Sequence, residues 1–132
     1  QMEIGATATE FEYSTFGDEL ALCQRYFEKV KLELGSQDLC NFYCGSTGTG
    51  VGVYQFKVTK RALPTNAYSA LSHFTCFAPG FTSVTPTSLG IISSTREAAL
   101  TPSVGGGVFT TNGAGLFRIT GVGGFLTFSS EL

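Results

Sequence analysis

Gly17-Asp-Glu-Leu-Ala-Leu-Cys-Gln-Arg-Tyr-Phe-Glu-Lys-Val30 is the stretch with the clearest helical character, and its reading decides how the rest of the chain is organised. Leu20, Cys23, Tyr26, Phe27 and Val30 recur at spacings that share one face of a helix. Thr15 offers a hydroxyl to an early amide, Asp18 and Glu19 sit near the positive helix end, and Lys29 lies near the negative end. The pattern predicts an amphipathic connecting helix over residues 17–30. Leu20, Cys23, Tyr26 and Phe27 are its expected packing or assembly residues, facing a sheet or a sister copy.

Upstream, residues 1–16 read as an opening strand and an aromatic approach. Met2, Ile4 and Ala6 alternate with Glu3 and Thr7, and Phe11, Tyr13 and Phe16 follow. A lone strand is not stable, so its partner is sought in preceding residues, another subunit or the later sheet.

Downstream, residues 31–132 read as strands and turns. Lys31 to Leu34 and Leu39 to Cys44 are expected to form a hairpin across Gly35. Further strands are expected at Val51 to Thr59, Ala67 to Phe77, Ser88 to Ser94, Gly115 to Thr120 and Phe125 to Ser129. Glu97 to Leu100, cut short by Pro102, reads as a turn or an edge strand. Gly105 to Gly107 and Asn112-Gly113 mark turns. The fold class is therefore mainly β, a β-sandwich or jelly-roll-like domain with one N-terminal amphipathic helix.

At 132 residues the chain is long enough for one hydrophobic core. Eight basic against ten acidic residues, a net charge of -2, gives no electrostatic footprint for nucleic acid or an anionic membrane. No apolar run reaches the roughly 20 residues of a membrane-spanning helix. Gln1-Met-Glu-Ile-Gly5 also lacks the basic start and apolar core of a signal peptide. The charged fraction is 14%, against roughly 25% in ordinary soluble domains. Such a chain has little charge to cover an isolated surface, which points to burial against copies of itself.

The chemistry-bearing residues are sparse. Cys23, Cys40, Cys44 and Cys76 form no recognised disulfide framework and read as small apolar fillers. Cys40 and Cys44 with His73 and Cys76 make a nominal zinc ligand set. A Cys-x3-Cys step inside a strand, with no tight turn between, argues against metal. Gly48-x-Gly50-x-Gly52 leads into a strand and not a helix, so a phosphate loop is not expected. His73 has no defensible nucleophile or carboxylate order around it and reads as structural. No catalytic residue, cofactor or metal is expected. The residues suited to a binding role are the aromatics Tyr43, Tyr54 and Tyr68, candidates for stacking on sugar rings.

The opening Gln1-Met-Glu-Ile-Gly-Ala-Thr-Ala-Thr-Glu-Phe-Glu-Tyr13 and Glu19-Leu-Ala-Leu-Cys-Gln-Arg-Tyr-Phe27 resemble a module of tailed-bacteriophage virion proteins. Phe56-Lys-Val-Thr-Lys-Arg-Ala-Leu-Pro64 and Phe125-Leu-Thr-Phe-Ser-Ser-Glu-Leu132 extend the likeness over nearly the whole chain. Glu10, where that family often has Pro, and Thr59-Lys60, where an apolar residue often precedes Arg, depart from its pattern. The resemblance implies a non-enzymatic structural component of a virion, in a tail fibre, spike or capsid decoration. Such a protein is typically β-rich and self-associating, here expected as a trimer. Its implied partners are copies of itself, other virion proteins and host-surface glycan.

Overall fold

The computed structural model describes residues 14–78 and 83–130, so the expected opening strand lies outside the described residues. One helix precedes nine strands: α1 (Phe16–Gln24), β1 (Phe27–Lys31), β2 (Gln37–Cys44), β3 (Gly50–Gln55), β4 (Thr65–Tyr68), β5 (Phe74–Phe77), β6 (Ser88–Ser93), β7 (Glu97–Ser103), β8 (Ala114–Ile119) and β9 (Phe125–Ser129). They form a three-stranded sheet, β1-β9-β4, and a six-stranded sheet, β5-β8-β2-β3-β7-β6. The expected mainly β, sandwich-like architecture with one N-terminal helix is the observed one.

The helix is shorter than its sequence pattern predicts. Thr15 caps it as expected, its hydroxyl accepting from the Asp18 amide at 3.2 Å. The helix nevertheless ends at Gln24, and Phe27–Lys31 is a strand with Glu28 and Val30 turned inward. Helical spacing and strand alternation coincide over these few residues. Pairing with β9, from Phe27 opposite Ser129 to Lys31 opposite Phe125, decides in favour of the strand. The connecting helix over residues 17–30 is thus corrected to a helix and a strand. The hairpin expected between Lys31 to Leu34 and Leu39 to Cys44 is corrected too, since β1 and β2 belong to different sheets.

The stretch Ala67 to Phe77 was also expected to run as one strand. It breaks at a 3-10 turn, Leu71–His73, which carries the chain from β4 in the small sheet to β5 in the large one. Glu97–Ser103 is a full interior strand, paired with β3 on one side and β6 on the other. Pro102 lies opposite Leu89, beyond the Gly52–Gln55 ladder with β3, so its missing N–H breaks no bond of that ladder.

The core lies between the sheets and is rich in phenylalanine. Phe74 stacks on Phe117 at 5.6 Å between ring centroids, and Phe42 packs on Phe109 at 5.2 Å. Tyr54 on β3 stacks over Phe128 on β9 at 5.6 Å, which ties the two sheets together. Gly50 and Gly115 sit against the Phe42 ring so closely that a Cβ on either would overlap it. Burying a side chain the size of Phe128 or Leu126 contributes about 1.5–3 kcal/mol, so this shared interior holds the sheets face to face.

Candidate functional site

Glu28 is the most constrained polar residue of the fold. As an inward position of β1 it would normally carry an apolar side chain, and it is 4% exposed. Its carboxylate is fully engaged. The Tyr54 hydroxyl donates to Oε1 at 2.6 Å, Lys60 Nζ donates to Oε2 at 2.8 Å, and the Lys57 amide donates to Oε2 at 3.4 Å. The Lys60 side chain is itself fully buried, and its ammonium also donates to the Gln24 carbonyl at 2.6 Å. That carbonyl belongs to the last turn of α1, which has no basic residue of its own, so Lys60 supplies the cation that the helix end favours. Lys60 further lies over the Phe56 ring at 4.9 Å.

This cluster joins three segments: the end of α1, β1, and the 56–61 loop. Arg61 reinforces the junction. Its amide donates to the Arg25 carbonyl at 3.0 Å, and its guanidinium donates to the Tyr26 hydroxyl at 3.1 Å. Burial, then the hydrogen bond and negative charge of Glu28, push the Tyr54 phenol well above its ordinary pKa. The Tyr54 hydroxyl accordingly serves Glu28 as a hydrogen-bond donor.

Beside this junction opens a cleft of about 300 Å³, lined by Lys29, Val30, Lys31, Glu33, Gln37, Asp38, Tyr54 and Lys57. Lys29, Val30 and Lys31 of its lining are consecutive residues of β1. Two of its acids already have cations: Glu33 lies 3.5 Å from Lys31, and Asp38 lies 2.8 Å from Arg118. Lys29 Nζ sits over the Phe125 ring at 4.7 Å. Lys29 and Lys57 thus carry charge into the cleft without a carboxylate partner among the described residues.

The tyrosines singled out from the sequence do not converge. Tyr43 stands on the outer face of the large sheet, half exposed and paired with the Asn112 side chain. Tyr54 points between the sheets and is occupied by Glu28, so it is not a sugar platform. Tyr68 lies on the small sheet with its ring edge-on to Phe74 at 6.1 Å.

The residues expected to pack on the sandwich or on a sister copy are not covered by the sandwich. Leu20 is 44% exposed, Phe27 is 46% exposed, and Cys23 and Tyr26 are exposed as well; α1 buries no residue at all. Phe16 and Leu22 add to the same uncovered surface. The packing of this face on the sandwich is therefore corrected. A second apolar surface lies outside the large sheet, where Tyr43 pairs with Val51 and Val53 pairs with Ala99 and Ile92 beyond it.

The four cysteines are free, with Cys44 and Cys76 in the core. Among the described residues no group of three or more histidine, cysteine and acidic side chains could hold a metal ion. No helix there is long and apolar enough to cross a membrane. Sequence reasoning missed Glu28 and Lys60, which are 32 residues apart; an acid and a lysine in otherwise apolar-facing positions were the available signal. Comparison with protein-family models, with curated proteins and with solved structures finds no match to this chain.

Proposed function

We propose that this chain is a non-enzymatic structural subunit of a virion that self-associates, as a trimer, in a tail fibre, spike or capsid decoration. The observation that carries the reading is the apolar exterior. A helix of nine residues with none buried is not stable by itself in water, and its Phe16, Leu20 and Leu22 face outward. Val51, Val53 and Ile92 add exposed apolar side chains on the outer face of the large sheet. A protein with 14% charged residues gains by covering such surfaces against copies of itself. The virion assignment draws on the sequence resemblance to tailed-bacteriophage modules. Light scattering on the purified chain tests self-association: a defined oligomer supports it, and a stable monomer at micromolar concentration overturns it.

A second reading, a receptor- or glycan-binding module at a fibre tip, draws on Tyr43. Its ring is half exposed beside Val51, with the Asn112 side chain next to it for hydroxyl groups. A glycan array is the test. Binding that disappears in Tyr43→Ala supports this reading, and no binding by folded protein removes it.

A further inference from the structure

The small sheet is incomplete on one side. Its three strands face six, and among the described residues β1 pairs with β9 only. The Ser130 amide donates to the Tyr26 carbonyl and the Leu32 amide to the Gly124 carbonyl, so by antiparallel alternation the peptide groups of Phe27, Lys29 and Lys31 point away from β9. Lys29 and Lys31 also line the cleft described above. An open strand edge beside a cleft is a template for one more strand.

Charge indicates what fits there. Residues 1–24 contain five acids, Glu3, Glu10, Glu12, Asp18 and Glu19, and no lysine or arginine. The rest of the chain carries all eight basic residues against five acids. Three of those acids, Glu28, Glu33 and Asp38, are paired with Lys60, Lys31 and Arg118. Among the described residues Lys29 has no carboxylate partner and Lys31 has only the exposed Glu33, and Glu10 and Glu12 stand at the same two-residue spacing in the sequence.

We propose that residues 1–13 of one copy add as an extended strand along the β1 edge of a second copy, with Glu10 and Glu12, which share one face of such a strand, set against Lys29 and Lys31. The segment spans at most about 45 Å, enough to reach a neighbour. It leads into α1, so exchange brings the uncovered Phe16 and Leu20 of the donor, one turn apart on the same helix face, against the acceptor in the same contact. Docking on its own chain would leave that helix face open. Passed from copy to copy, such an arm closes a ring, as a trimer requires.

The inference rests on the self-association reading, and residue-resolved amide exchange with solution mass on the full chain separates the two. The expected result is slow exchange at Phe27, Lys29 and Lys31 in the oligomer, accelerating at least about tenfold on dilution to monomer. Reversing the arm (E10K/E12K) or the edge (K29E/K31E) should abolish this protection, and mixing the two folded variants should restore it. Protection independent of concentration would assign the edge to the chain's own arm and overturn the proposal. An intact oligomer with fast exchange at these amides would overturn it while leaving self-association standing. A monomer at all concentrations would overturn both.

Discussion

Glu28 shows how one residue can hide an element. Read by type it belongs on a solvated helix face; in the fold it is buried because Lys60, Tyr54 and the Lys57 amide satisfy both carboxylate oxygens. Removing one partner leaves the other charge stranded. Lys60→Met should therefore destabilise the chain by about 3–5 kcal/mol. The double variant Glu28→Leu with Lys60→Met should recover most of that loss, since an apolar pair avoids the cost of burying charge. Urea unfolding of the single and double variants checks this.

The thiols and the phenol give a pH prediction. Burial raises Cys40 to about 11 and Cys76 to about 12, and raises Tyr54 as well. Raised values mean the folded state keeps protons that the unfolded chain releases. Their contribution is fully present below about pH 8.5 and is lost as pH rises through the folded values. Urea midpoints should fall steadily from pH 8 to pH 11. At neutral pH a thiol reagent should modify Cys23 quickly, while Cys44 and Cys76 react only on unfolding.

Strands β6 and β9, and the Asn41 to Cys44 end of β2, were legible because each alternates between an apolar core face and an outward face. The boundary between α1 and β1 was not. Leu20, Cys23, Tyr26, Phe27 and Val30 satisfy a helical period. The evidence for a strand, alternation of Glu28 and Val30 against Phe27 and Lys29, needed a buried acid whose partner lies in a distant loop. The crossing from β4 to β5 was hidden for a related reason. Tyr68, Ala70, Ser72 and Phe74 keep a period of two straight through a 3-10 turn, so the pattern does not register the change of sheet. Of the candidate site residues, the tyrosines were visible by type, but their separation onto different surfaces depended on strand pairing. Phe128→Ala, which removes the ring stacked on Tyr54 and packed on Phe56 at 4.8 Å, should cost about 3–5 kcal/mol in thermal or urea unfolding.

Taken as a whole, the molecule has a well-filled interior and an under-protected exterior. Phenylalanines from both sheets close the core, while α1, the outer face of the large sheet and the edge of β1 are left open. The low charge of the chain already anticipated this imbalance; which surfaces carry it depended on the fold. The account predicts that these surfaces serve assembly and not folding. Leu20 and Phe27 are exposed in the single chain, so replacing both with Asp should change unfolding stability by no more than about 1 kcal/mol. The decisive measurement is the solution mass of the unmodified chain beside L20D/F27D, by sedimentation at matched micromolar concentrations. The account predicts an oligomer for the unmodified chain and a folded monomer for the variant. A monomer for the unmodified chain, or an oligomer of unchanged mass for the variant, would contradict it.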